Sequence, residues 1–453
     1  MVGNMARMVQ QFKHSACQEV DDEVIQRACR QAGHTWRERE LGPVATIRMF
    51  LLQILYGNVA CNAVPHLARR DVTGASYCEA RRRIPLAAFQ TLLATCTGRM
   101  VEAARDTGRW LGHRLLILDG CHFSMPDVPE LERQFGYPPN QAPGCGFPVA
   151  HWLAVVHFRT GIIQQAILSR ACGHDLPDAA QAEQQLETGD VVLADSAFCS
   201  FVHFVLLLAR GLHGIFRAHG RLIVDFTPGR PHVPRNHRSR KWKKQQPSSR
   251  WIKSLGPEDQ IVEWPCSEQC PRWLDLQAWT QMPRQLLLRE LRYTVKRPGF
   301  RVHAVTLVTT LLDPVRYPKE KLAEAYGLRW TVETCFRHLK TTMRMNVLRS
   351  QSVAGVMKEL IMFLLVYNLA RMTMVEASRR QGVPVDRISF VDALRWLATT
   401  RPGDPLCDLV INPHRPGRVE PRCRKRRPNG TYPLLHQPRS QLKQLLLSQN
   451  LPA

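Results

Sequence analysis

Two stretches decide the fold: Leu115-Leu116-Ile117-Leu118-Asp119-Gly120 and Val191-Val192-Leu193-Ala194-Asp195. Each is a short, continuous apolar run that ends on an aspartate. Such a run reads as a buried strand that stops where the acid begins a turn. Between them, Ala150 to Phe158 and Ile162 to Leu168 flank Arg159-Thr160-Gly161, which predicts a hairpin. Asp178 to Glu187 reads as a helix, with Gly189 where a C-terminal cap belongs. A helix from Phe201 to Ala209 and a strand from Gly214 to Ala218 follow. Strand, hairpin, helix, strand, helix and strand in that order predict an α/β layered core.

Outward from this core the character changes. Residues 1–110 read as a helical N-terminal domain, with Ile47, Phe50, Leu51, Ile54 and Leu55 on one apolar face. Arginines stud it, Arg81 and Arg83 among them, and two readings stand: a solvated bundle or a DNA-contacting domain. The first part of the core spans 111–225. A basic, β-rich insertion at 226–300 follows, and from Thr227 to Pro257 it holds no Asp or Glu. Lys241, Lys243 and Lys244 surround Trp242, and Trp251 follows. Cations that hold phosphates, interleaved with rings that stack on bases, suit nucleic acid; a loose basic loop is the plainer alternative. Its prolines argue against regular structure through most of that run. Strand-like sequence at Arg289 to Val295 and Val302 to Leu312 leads to a helix from Pro318 to about Met343. A second apolar helix covers Val353 to Glu376. The remainder of the core is thus 301–400, and 401–453 is a basic tail, densest at Arg422 to Arg427.

These basic segments account for the composition. The 453 residues carry 62 Lys and Arg against 38 Asp and Glu, a formal net charge of +24. An excess of that size points to a polyanionic partner. No uninterrupted apolar run reaches the roughly 18 residues of a membrane-spanning helix, and no apolar stretch near the N-terminus has signal-peptide length. The 14 cysteines are irregularly spaced, unlike a disulfide framework. The expectation is a cytoplasmic protein that binds DNA and not membrane.

The chemistry gathers around Glu333. On an ideal helix Tyr326, Arg329, Glu333 and Lys340 fall at about 0°, −60°, −20° and −40°, one narrow polar stripe. Leu328, Val332, Cys335 and Leu339 lie opposite. An acid flanked by Arg329, Arg337 and Lys340 is, on the plain reading, an intrahelical ion pair. Joined with Asp119 and Asp195, it makes a three-carboxylate set of the kind that holds two Mg²⁺ ions for in-line phosphoryl displacement. Tyr326, Arg329 and Lys340 then serve as donors to DNA phosphates.

Over about residues 40 to 440 the chain resembles the DDE transposases of bacterial insertion sequences, in the group with a Tyr-Arg-Glu-Lys signature. Tyr326, Arg329, Glu333 and Lys340 meet every spacing of that signature, and Asp119 and Asp195 match the two strand-end aspartates. The resemblance implies an RNase H-like core, a mixed sheet flanked by helices and interrupted by a β-rich insertion. It implies catalysis and metal binding by Asp119, Asp195 and Glu333, with Mg²⁺ replaceable by Mn²⁺. It further implies cleavage at element ends, attack of the 3′ hydroxyl on target DNA, a hairpin intermediate in cut-and-paste members, and a homodimer on paired ends.

The chain departs from the group in places. Gly120-Cys121-His122 stands where a threonine is commoner, and Ser196-Ala197-Phe198 where an arginine often occurs. Thr306 to Thr310 lacks the tryptophan that stacks on a flipped base in some relatives. His122 reads more readily as a supporting residue than as a reactant. Cys266 and Cys270 lack the second ligand pair a zinc site needs. Two rivals stand: a metal-dependent nuclease of the same fold that does not join strands, and a non-catalytic DNA-binding derivative.

Overall fold

The computed structural model describes residues 20–413, apart from 106, 139–144, 171–174, 233–246, 296–302, 347 and 400–405, with isolated positions beyond. Among the described residues five helices come first: α1 (Asp22–Gln31), α2 (Pro43–Leu55), α3 (Ala63–Ala68), α4 (Gly74–Arg83) and α5 (Leu86–Ala103). Their starts follow from local chemistry. Asp21 caps α1 by accepting from the Val24 amide, and Thr73 caps α4 by accepting from that of Ser76.

The core strands are β1 (Leu115–Ser124), β2 (Val149–His157), β3 (Ile163–Arg170), β4 (Val191–Ala194) and β5 (His213–Arg217). Helix α6 (Pro129–Phe135) follows β1, α7 (Asp175–Ala182) follows β3, and α8 (Phe201–Ala209) joins β4 to β5. β1, β2 and β3 form an antiparallel set, whereas β4 and β5 run parallel to β1. This gives the order β3-β2-β1-β4-β5, the RNase H-like arrangement expected from the sequence. Every residue of β2 is buried, as a strand covered on both faces requires.

The insertion is not a detached body. β6 (Arg250–Gly256), β7 (Asp259–Pro265), β8 (Gln285–Val295) and β9 (His303–Thr309) form an antiparallel meander. Its last strand pairs with β5, so one nine-stranded sheet runs from β3 to β6. A short helix, α9 (Leu276–Thr280), lies between β7 and β8. The end of the proline-bearing run is therefore regular structure, because β6 finds a partner in β7.

Helices cover both faces. One apolar cluster joins α1, α2 and α5 to the sheet and to the C-terminal helices; the other joins α7, α8 and α9 to the opposite face. The C-terminal helices are α10 (Lys319–Gly327), α11 (Thr331–Arg337), α12 (Val353–Gln381) and α13 (Phe390–Thr399). α12 is long and apolar enough to cross a membrane by length and composition, but 78% of its most apolar window is buried against the rest of the fold. Its apolarity is that of a core helix, packed against α5 and α13.

Three expectations need correction. β1 does not stop at Asp119 but runs on to Ser124, because β2 continues to pair with it. The helix expected at Asp178 to Glu187 starts at Asp175 and ends in a 3₁₀ turn at Glu183–Gln185. Gly189 is instead a left-handed turn residue, φ 90°, just before β4. The helix expected from Pro318 to Met343 is segmented. A 3₁₀ turn (Leu328–Trp330) separates α10 from α11, and a π turn (His338–Thr342) follows. These changes of winding break the ideal 100° progression, so the four signature residues do not share one exposed stripe. Tyr326 and Arg329 are 4% and 9% exposed, while Glu333 is exposed and Lys340 half-buried.

Candidate active site

Strand register brings the two aspartates together. The parallel pairing of β1 with β4 ends at Leu118 opposite Ala194. Asp119 and Asp195 are the next residues, side by side where the parallel pairing ends, Asp195 just past β4 and Asp119 midway along β1. Ligand sites in open α/β sheets form at that edge.

Both carboxylates are oriented by backbone amides. Asp119 Oδ1 accepts from its neighbour Gly120 at 2.9 Å, and Asp195 Oδ1 accepts from Ala197 at 2.7 Å. Asp119 Oδ2 accepts from Arg329 Nη1 at 2.8 Å. Burial pushes the Asp119 carboxyl up to about 6. Arg329 and the Gly120 amide hold it down, while the charges of Asp195 and Glu333 push it further up. The three acids thus share one electrostatic neighbourhood, with Arg329 as its internal counter-charge.

The other signature residues surround this group. Burial raises the Tyr326 phenol; Arg329 and Arg217 draw it down, and Asp195 raises it. The Tyr326 hydroxyl and Arg329 Nε are buried with no hydrogen-bond partner among the described residues. Lys340 reaches Cys121, two residues beyond Asp119; burial pushes that thiol up to about 11 against the pull of the ammonium. Trp330 is exposed, and the Arg329 guanidinium lies 5.1 Å from its ring centroid.

Arg217 was missed by sequence reasoning. Ala194 pairs with Phe216, so Arg217 stands beside Asp195 at the same edge of the sheet. Its only signal was its place at the end of an apolar strand, and that acquires meaning only once strand order is known.

Other candidates lie elsewhere. His122 is three residues from Asp119 on a strand and so points to the opposite face. There it meets His151, ring centroids 4.9 Å apart, and His151 lies near Asp175 and Asp178. A Cβ on Gly120 would sit 2.2 Å from His151 Nε2, so this imidazole requires a glycine after Asp119. Arg83 is exposed on the last turn of α4. Arg81 is turned inward, bonded to Gln53 Oε1 and Ser350 Oγ and lying over the Phe50 ring. Lys241, Lys243, Lys244 and Trp242 fall outside the described residues. At the borders of that stretch Arg230 bonds Ser249 and Arg250 pairs with Glu263. Among the described residues no three His, Cys, Asp or Glu side chains form a ready-made metal cluster, at Cys266 and Cys270 or at the three acids.

The sequence profile of the family described as Transposase DDE domain matches residues 110–369. The chain is 25% identical over 379 residues to the transposase InsG for insertion sequence element IS4 of Escherichia coli (strain K12), covering 80% of this chain and 78% of that protein. Among solved structures it is similar to the piggyBac transposase in a synaptic complex with hairpin DNA, seen by cryo-electron microscopy. That match has a TM-score of 0.43 and 9% identity, and covers 86% of this chain and 78% of the other.

Proposed function

Because the chain belongs to the DDE transposase family and is an enzyme of DNA transposition, we propose that Asp119, Asp195 and Glu333 carry out metal-dependent cleavage at insertion-sequence ends and strand transfer into target DNA. The observation that carries this reading is the register at the sheet edge. Asp119 and Asp195 stand side by side, and Arg329 ties the segment bearing Glu333 to the first of them.

The charge of the three acids suits a divalent cation, although among the described residues they do not stand as a ready-made cluster. Asp119 is pushed up to about 6 by burial and by two further acids nearby, a charge arrangement that a cation relieves. Asp119, Asp195 and Glu333 would hold Mg²⁺, two ions per site, with Mn²⁺ as a substitute. When bound, the ions would activate the attacking oxygen and stabilise the leaving one.

The rest of the chemistry belongs to side chains. The Tyr326 hydroxyl and Arg329 Nε, adjacent to each other, have no hydrogen-bond partner among the described residues and would be suited to oxygens of the scissile phosphate. Lys340 and Arg217 add positive charge at the same edge. Arg83 of the helical N-terminal region, Lys241, Lys243 and Lys244 of the insertion, and the basic tail would bind the flanking duplex through its phosphates. We assign Arg81 to holding the N-terminal helices against the core. The working form would be a homodimer on two paired DNA ends, in the bacterial cytoplasm.

The test is an oligonucleotide duplex carrying the element's end, incubated with the protein, Mg²⁺ and a target plasmid. Cleavage and joined product are expected, and both should be lost in Asp119→Asn and Glu333→Gln. Cleavage without joining would favour the nuclease. DNA binding with neither activity would favour the non-catalytic derivative.

A further inference from the structure

Away from the acids, two thiols lie against each other in the N-terminal helical region. Cys61 precedes α3 and Cys78 lies on α4, with their sulfurs 3.7 Å apart. Cys78 is exposed and Cys61 half-buried.

The backbone holds them in place. A Cβ on Gly74 would meet Asn62 Oδ1 at 2.2 Å and the Asn62 backbone at 2.8 Å, so α4 begins pressed onto the residue next to Cys61. Cys78 is one helical turn beyond Gly74, on the same face of α4. The segments carrying the two thiols are therefore held against each other at this backbone contact. Arg81, one turn further still, directs Nη1 at Cys61 Sγ across 3.8 Å. The same guanidinium bonds Gln53 Oε1 at 2.8 Å and reaches Ser350 Oγ of the catalytic part at 3.3 Å. On the next turns Lys358 of α12 donates to the Arg81 and Arg82 carbonyls at 3.1 Å each. The thiol pair thus adjoins the seam between the N-terminal helices and the core.

We infer that Cys61 and Cys78 form a reversible disulfide site at this seam, closed by a hydroperoxide. The exposed Cys78 thiolate attacks the distal peroxide oxygen; the O–O bond breaks, and the departing alkoxide or hydroxide takes up a proton. Cys78 is left as a sulfenic acid, two electrons oxidised. The Cys61 sulfur then attacks the Cys78 sulfur, the S–O bond breaks, and hydroxide leaves with the Cys61 proton as water. One hydroperoxide is reduced for each disulfide formed, and a dithiol reverses the change by exchange. Placement supports these roles, with the attacking thiol in solvent and the resolving thiol behind it beside a guanidinium. Closure needs the sulfurs to move from 3.7 Å to the roughly 2.0 Å of a disulfide.

The experiment is peptide mapping of the full chain after hydrogen peroxide, with free thiols then blocked by alkylation and digestion under non-reducing conditions. The expected product is a cross-linked peptide pair joining Cys61 to Cys78, lighter by two hydrogens and separated by dithiothreitol. Cys61→Ser should leave Cys78 as a sulfenic or sulfinic acid. The inference is overturned if wild-type Cys78 is oxidised while Cys61 is alkylated as a free thiol. It is also overturned if peroxide sufficient to oxidise the exposed Cys407 leaves both thiols reduced. The wild-type map alone decides, so a variant that fails to fold does not remove the test.

Discussion

Arg329 donates from Nη1 to Asp119 Oδ2 across 2.8 Å, and both side chains are largely buried. This ion pair ties the 3₁₀ turn ahead of Glu333 to the strand carrying the first acid. It also supplies a positive charge where three carboxylates feel one another. In our reading the guanidinium has two tasks: it steadies Asp119, and its buried Nε, without a partner among the described residues, would serve a phosphate oxygen.

Arg329→Ala should therefore lower single-turnover cleavage about 10- to 150-fold, the equivalent of a charge-assisted hydrogen bond worth roughly 1.5–3 kcal/mol. Arg329→Lys should recover little, because a lysine lacks the planar fork that serves two acceptors. An unchanged rate in the alanine variant would leave the pair a purely structural one.

Gly120→Ala should destabilise the fold by about 1–3 kcal/mol, as overpacking does. The added carbon has no room beside His151. In a His151→Ala background the same change should cost much less, and thermal denaturation of the four proteins gives the coupling. Equal costs in both backgrounds would show that the imidazole is not the obstacle.

A buried pair beneath the loop after Asp195 should make stability depend on pH. His203 Nε2 lies 2.7 Å from Glu183 Oε1, and Nδ1 lies 2.8 Å from the Phe198 carbonyl. Burial disfavours the charged ring, but Glu183 and the carbonyl outweigh it, so the histidine is raised above its usual range. A raised pKa means the folded state holds the proton more tightly than the unfolded one. This stabilisation is full below the unfolded value of about 6.5 and is lost as pH rises through the folded value. Chemical denaturation across that range should show the decline, and Glu183→Gln should flatten it. A profile that rises with pH would contradict the assignment.

DNA affinity should fall steeply with salt, since about 6–10 phosphate contacts imply a loss of roughly 10³–10⁵ between about 50 and 200 mM. Replacing Lys241, Lys243 and Lys244 together by alanine should make the logarithmic slope shallower by about 2–3, if each holds a phosphate. Filter binding at several salt concentrations measures both. A flat response would remove the insertion lysines from the DNA path.

Much of this was legible in the sequence for physical reasons. Leu115 to Leu118 and Val191 to Ala194 are strands because nothing but burial on both faces accounts for them. The intervals among Tyr326, Arg329, Glu333 and Lys340 survived the segmentation of their helix, since they identify residues without fixing their directions. What was hidden is non-local. β1 runs past Asp119 because a distant strand supplies its partners. Arg217 joins the site only through the register of β4 with β5. Arg81, one arginine in a run of three, is half-buried by groups on α2 and beyond α11 that no local pattern names. The 3₁₀ and π turns, three and five residues long, are too short to repeat a period that the sequence could display.

The union of β5 with β9 has a mechanical consequence. Ile215, Phe216 and Arg217 are laddered to Thr309, Val308 and Leu307. The meander and the catalytic strands therefore share a single elastic plate, joined by backbone hydrogen bonds and not by a tether. A load on the outer strands that changes their twist passes across β9 into β5, one strand from Asp195. Pressure on the insertion is in this sense leverage on the catalytic edge.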